Sequence, residues 1–376
     1  MNKFIIGKKR AVERRITNRL TAFREKLWYE EDVVNIREKK SQCDIVPLSK
    51  TQKKEIQSYW RGLVGVNVPT DWHEYFYSRN GEYSVRYVPT CVYHSNLVFR
   101  LNQRQLSMAY TDKNAYDVYF SDVRKPETLL RNINGYYFDG KRPIREEEAL
   151  EICENLKDVV IKPSMLGKWG TGVRLFSSDN GRVGDSSTIK DLFLEYKEDF
   201  IIQRRVVQHP GMSRLNPTSL NTLRVLSFHR GDEVFIQYVV VRIGRKGKWV
   251  DNETAGGINA DVDLTDGRIK DCAYGTPAEK RILTTDVGTV LKGFVIPAFD
   301  EVVSIVKSLH KRLPYFNLIG WDFAIDDVGE PVLIEWNRCP DLSQTAHGPA
   351  FGEMTEEIVR FALSQPDSFN SKWPMK

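Results

Sequence analysis

The stretch LIGWDFAIDDVGEPVLIEWN, residues 318–337, decides the fold. Two apolar runs flank DDVGEP, a segment of turn formers. Side chains alternate across a strand, so Trp321, Phe323 and Ile325 share one face while Asp322 and Ala324 share the other. In the second run the same alternation groups Val332, Ile334 and Trp336 against Leu333, Glu335 and Asn337. Folding the hairpin about the Val328–Gly329 link sets Asp322 opposite Glu335, with Cβ atoms about 5 Å apart. An odd-length turn would shift the register by one and spoil that pairing.

Two carboxylates so close repel unless a positive charge sits between them. Mg²⁺ answers this: it takes one or two carboxylates plus phosphate oxygens, and Asn337 adds a carbonyl oxygen. Asp322, Glu335 and Asn337 are therefore the expected metal ligands. The bland alternative is a solvent-facing Asp322 and a capping Glu335.

A second block, VVIKPSMLGKWGTGVRLF, runs from 159 to 176. Lys162 ends an apolar strand. Gly167, Gly170 and Gly172 follow, and without side chains they let backbone N–H groups approach phosphate oxygens. Lys162 adds a point charge for the same anion. No G-K-[ST] precedes a helix, so this is not the Walker pattern; the bland alternative is an ordinary β-turn. Lys113 is either a second phosphate contact or a solvated helix residue. Arg224 lies on the apolar strand Asn221–His229, where an unpaired cation is costly. It should meet a phosphate, a substrate carboxylate or a structural ion-pair partner.

Outward from these blocks, strands pair mainly through hairpins with helices set between groups of strands. That is an α+β arrangement. Residues 1–47 read as a basic helical segment. Residues 48–110 form a helical and irregular region, with Ser49 capping a helix through Trp60 and the span 61–105 irregular. Two α+β lobes follow, at 111–200 and 201–376. The net charge of +5 is uneven, since residues 1–60 hold 15 Lys/Arg and 8 Asp/Glu, which is +7. The N-terminal Leu20, Phe23, Leu27 and Trp28 form one apolar stripe, read as packing on the body with the basic face in solvent. The sharper reading is a weak association with an anionic membrane surface. Nothing else suggests nucleic acid. Five scattered cysteines without C-x-x-C spacing argue against disulfides and structural zinc. No apolar run approaches a membrane span, and the N-terminus has no signal-peptide core, so a cytoplasmic protein is expected.

Asp112-Lys113, Lys162-Pro163, GKWGTG, FIIQRRVVQHP, SLNTLRV, TAGGINADVDLTDG and GWDFAID…VLIEWN, in this order, resemble the ATP-grasp superfamily. More narrowly, Leu48 to Glu353 is similar to the sugar-transfer-associated ATP-grasp family, related by name to α-L-glutamate ligases. The resemblance implies two α+β lobes holding MgATP, and phosphorylation of a carboxylate to an acyl phosphate that an amine or thiol attacks. It implies that Lys113 and Lys162 contact phosphates. The strand Gln203–Val206, with Arg205, would read adenine through its backbone. Gln208 or His209 would lie near ribose, Arg224 on phosphate or the reacting carboxylate, and Asn252, Gly256 and Gly257 on the substrate side. Relatives commonly carry an acid where this chain has Arg204. The substrates implied are a small acid and an amine or sugar-linked acceptor in cell-surface polysaccharide synthesis. Alternatives are a small-molecule kinase on this fold, or a non-catalytic nucleotide-binding partner of a glycosyltransferase.

Overall fold

The structure, a computed structural model, describes residues 3–165, 172–184, 187–251 and 256–366. Two six-stranded antiparallel sheets form its frame. The first holds β1 (Thr128–Ile133), β2 (Tyr136–Asp139), β3 (Arg142–Ile144), β4 (Val159–Pro163), β5 (Arg174–Phe176) and β8 (Phe200–Arg204), in the order β3-β2-β1-β8-β4-β5. A small ribbon of β6 (Arg182–Val183) and β7 (Ser187–Thr188) stands beside it. The second sheet holds β9 (Thr222–Arg230), β10 (Glu233–Ile243), β11 (Ile258–Val262), β12 (Ile269–Tyr274), β13 (Leu318–Ile325) and β14 (Pro331–Asn337), in the order β12-β11-β10-β9-β13-β14. The expected boundary at residue 200 cuts into β8, which lies between β1 and β4 and so is a central strand of the first sheet.

Each sheet buries one face under helices. Val159, Ile161, Phe200 and Ile202 pack with the helix Ile189–Tyr196, leaving Val160, Lys162 and Gln203 on the other face. In the second sheet Val225, Val239, Trp321 and Phe323 pack against the helix Phe299–His310. Part of its opposite face, around Leu226, Phe228, Tyr238 and Leu318, is covered by N-terminal helices. The two sheets thus face each other across a cleft lined from both sides.

The span 61–105, expected to be irregular, is mostly helical. α1 (Lys3–Ser41) and α2 (Lys50–Val64) are followed by α3 (Asp71–Asn80) and a helical run over 90–101 that contains a wide turn at Tyr93–Leu97. Its aromatic density reflects burial: Trp72, Tyr75, Tyr87 and Tyr93 are all enclosed. Ser49 does cap α2, through a capping box with Gln52.

α1 departs from the single-stripe reading. Trp28 packs on Phe99 with its ring tilted and, with Tyr29, Val33 and Ile36, joins the body. Leu20, Phe23 and Leu27 are instead exposed, because Trp28 lies 100° round the helix from Leu27. No helix of the described residues is long and apolar enough to cross a membrane.

One buried cation ties the helical layer to the second sheet. Arg79, on α3, donates to the carbonyls of Gly275, Thr276, Pro277 and Glu279, just beyond β12. Arg79→Met leaves those acceptors facing an apolar stem, and we expect it to cost about 2–4 kcal/mol. A lowered urea midpoint at unchanged slope checks this; a midpoint equal to wild type would show the cage to be dispensable.

Candidate active site

The hairpin of β13 and β14 reaches the expected pairing by an unexpected route. The tip is a three-residue loop, Asp327–Val328–Gly329, closed by the Asp326–Glu330 backbone bond. Gly329 takes a φ of +91°, and the Asp326 carboxylate accepts from the N–H groups of Val328 and Glu330. This odd loop sets Ile325 opposite Pro331, Ala324 opposite Val332 and Phe323 opposite Leu333, one step away from the register read off the sequence. A β-bulge at Ile334 then absorbs one residue. Beyond it Asp322 faces Glu335, Trp321 faces Trp336 and Gly320 faces Asn337. The faces change accordingly: Leu333 joins Trp336 in the core, whereas Ile334 and Glu335 both line the cleft.

Neither carboxylate waits for a metal to balance its charge. Asp322, only 2% exposed, accepts from Arg224 through Nε at 2.6 Å and Nη2 at 2.9 Å. Arg242 lies 3.4 Å from the same carboxylate. Glu335 pairs with Lys113 at 3.1 Å. Of the partners expected for Arg224, the structure supplies the ion pair. Burial alone would lower the Arg224 pKa, but Asp322 outweighs it and keeps the guanidinium charged. Burial likewise tends to raise the Glu335 pKa, and Lys113 and Lys162 overcome this to hold it well below the usual range.

Lys162 faces this group from the first sheet. It is buried and, among the described residues, has no hydrogen bond or ion pair. Burial, then repulsion from Lys113, pushes its pKa down to about 7. An unpaired buried ammonium beside a second lysine is a place for an anion. The local sequence explains its position: Val159 and Ile161 point into the core, so Val160 and Lys162 turn to the cleft.

The donor set suits a hard cation. Asn337 donates Nδ2 to Asp322 Oδ2 at 3.2 Å, which leaves its amide oxygen available. Glu335 Oε1 and the remaining lone pairs of Asp322 are further oxygen donors. Among the described residues no three His, Cys, Asp or Glu side chains converge. A metal here would complete its shell from bound phosphate or water.

The other expected residues divide. Gln203, Arg205 and Val206 line the cleft, together with the apolar Val160, Leu175 and Ile334. The Arg205 N–H is taken by Asp158 O, while among the described residues the Val206 N–H has no partner. Arg204 pairs with the exposed Glu127 at 2.6 Å. Gln208 is not at the cleft: its amide donates to Asn216 and Ser219 carbonyls and accepts from Asn221, and so locks a loop. His209 caps a helical turn by accepting from Gly211 N–H. Gly172, with φ +76°, packs where a Cβ would meet the Pro163 ring at 3.1 Å. Gly167, Gly170 and Asn252 lie outside the described residues.

Thr222, Arg242 and Asp251 also line the cleft and were missed from sequence. Arg242 carried the signal that flagged Arg224, a cation within an apolar strand. Asp251 carried none, because it sits in an irregular segment. It accepts from the Thr222 hydroxyl and backbone N–H, and burial raises its pKa against the pull of Arg242.

Residues 93–358 match the family described as sugar-transfer associated ATP-grasp. Among solved structures the chain is similar to the L-amino acid ligase from Bacillus licheniformis, with 11% identity, 69% of this chain and 49% of that one covered, and a TM-score of 0.39. It is also similar to the VanG D-Ala:D-Ser ligase from Enterococcus faecalis (15%, 67% and 60%, 0.39). A third is the D-alanine–D-alanine ligase from Bacillus anthracis complexed with ATP (12%, 68% and 65%, 0.38). The chain spans about half the length of the first and less than two thirds of the other two. No curated protein matches the sequence.

Lys162 is expected to lower stability near neutral pH. Its folded pKa lies below the usual 10.5, so between about pH 7 and 10.5 the unfolded chain binds the extra proton and stability rises with pH. Lys162→Met should melt higher than wild type at pH 7, by on the order of 2 °C or more, and lose part of the alkaline rise. A lower melting temperature for the variant would show that the ammonium is paired.

Proposed function

The chain belongs to the sugar-transfer associated ATP-grasp family, and from that premise we propose that it is an ATP- and Mg²⁺-dependent ligase. It would join a small carboxylic acid to an amine or thiol through an acyl phosphate, in the synthesis of a cell-surface polysaccharide. The observation that carries the reading is the facing of Asp322 and Glu335 on one sheet, with Lys162 opposite on the other.

Phosphoryl transfer needs position and charge neutralisation more than a special nucleophile. Lys113 and Lys162 would neutralise phosphate oxygens, the second gaining its proton as the anion arrives. Val160, Leu175 and Ile334 would enclose the flat apolar base, and the free Val206 N–H would donate to its edge. A Mg²⁺ held by Asp322, Glu335 and Asn337 would supply positive charge to the phosphates. Arg242, beside Asp322, would hold the acid's carboxylate near the phosphate being transferred. A dry cleft then protects the acyl phosphate from water.

The grip of Arg224 on Asp322 favours one competing reading, a nucleotide-binding protein without turnover. Phosphate release from MgATP over a panel of acids and amines separates the two. Release that requires both an acid and an amine, and that falls at least 100-fold in Asp322→Ala or Glu335→Ala, supports the ligase. Wild-type turnover in either variant refutes the assignment, and phosphate appearing on an alcohol indicates a kinase. Calorimetry adds a check on Lys162. At pH 8 MgATP binding should take up about one proton, and Lys162→Met should abolish the uptake; no uptake by wild type would remove Lys162 from phosphate contact.

A further inference from the structure

A second cavity opens between α1, α3 and the far strands of the second sheet. Its floor is aromatic and buried, formed by Trp72, Tyr75, Phe76, Tyr93 and Tyr274. Its rim carries Asn35, Gln42, Thr345 and two acids, Glu38 and Asp341. Among the described residues neither Glu38 nor Asp341 has a side-chain hydrogen bond or ion pair. A third acid, Asp32, is already answered by His94 at 3.1 Å.

The walls are built rather than left over from packing. The Arg79 cage fixes the Gly275–Pro277 wall. The Gln344 amide accepts from Val88 N–H at 2.8 Å and donates to Val88 O at 2.9 Å, which fixes the opposite side. The Tyr93 hydroxyl donates to Pro340 O at 2.9 Å and the Tyr238 hydroxyl to Asp341 O at 3.2 Å, so the loop carrying Asp341 is held from below.

The cavity also adjoins the cleft. Asn259, on its wall, is the cross-strand partner of Arg242, and adjacent strands lie about 4.8 Å apart. Pro340, next to Asp341, packs over Gly320, where a Cβ would touch its ring at 2.6 Å and Arg224 at 3.3 Å. One strand step and one proline separate the two sites.

We infer that this cavity binds an amino sugar, the amine-bearing acceptor for the neighbouring site. A pyranose has an apolar C–H face that lies on aromatic rings and a rim of hydroxyls that both donate to and accept from amides and threonines. Its ammonium is the cation that Glu38 and Asp341 lack, and aromatic faces favour a cation as well. A phosphorylated or acidic sugar is disfavoured here, since the two unpaired acids outnumber the one exposed cation of the lining, Lys39. The role as acceptor rests on the ligase reading; the binding does not. In that role the ammonium passes one proton to the Asp341 carboxylate, and the amine then forms the C–N bond to the acyl carbon as the C–O bond to phosphate breaks, phosphate leaving with the second proton.

The test uses the full chain and saturation-transfer NMR with glucosamine, glucose and glucuronate as probes. Glucosamine should give the strongest transfer, at least fivefold above glucuronate. Asn35→Trp, at an exposed helix position on the rim, should abolish it, and Asp341→Asn should reduce glucosamine to the level of glucose. Lys162→Met should leave all three unchanged. Glucosamine transfer that survives Asn35→Trp overturns the site, as does the absence of transfer from any of the three in protein that binds MgATP. Sugar binding without phosphate release would instead count against the ligase reading alone.

Discussion

A carboxylate buried in the second sheet and gripped by a guanidinium on the next strand is the constraint around which the rest is arranged. Asp322 and Arg224 are cross-strand partners, and Glu335 continues their row on the other side. Removing one partner leaves an uncompensated charge in a low-dielectric site, which costs several kcal/mol. The pair therefore fixes strand register as well as charge. Arg224 and Arg242 approach Asp322 from one flank and Asn337 from another, so its remaining lone pairs and the oxygens of Glu335 and Asn337 are what is left to meet a ligand.

Much of this was legible in the sequence, for reasons that can be named. Acids and a cation set within apolar strands must be paired or liganded, so Asp322, Glu335 and Arg224 stood out. Lys162 stood out in the same way, as a cation ending an apolar strand just before the glycines. What could not be read was local geometry. DDVGEP can close as a three-residue or a two-residue tip, which differ in backbone conformation and not in sequence, and a bulge leaves no mark in an apolar run. The two errors cancelled at Asp322 and Glu335, although Leu333 and Ile334 exchanged faces. The span 61–105 looked irregular because Pro69, Asn80-Gly81 and Pro89 punctuate it with turn formers. Burial under a second helix is a tertiary fact that short-range patterns do not carry.

The cleft also illustrates tension between stability and activity. Two lysines held near each other, with Glu335 paired to Lys113 alone, weaken the fold locally while both are charged, and either an anion or loss of the Lys162 proton relieves them. The apolar neighbours of Lys162 deepen the effect by excluding water. The N-terminal helices share in this organisation through the Arg79 cage, which links α3 to one edge of the sheet whose other half carries the charged row.

The bulge at Ile334 has a consequence for how such a hairpin can vary. It takes up the one residue by which the register at the tip departs from that of the charged row. The same residues could close on a two-residue tip, with Ile325 opposite Val332 and Ile334 back in the ladder, and Asp322 would still meet Glu335. The longer tip without the bulge, or the bulge without the longer tip, drags one strand past its neighbour by one residue. Tip length and bulge should therefore change together.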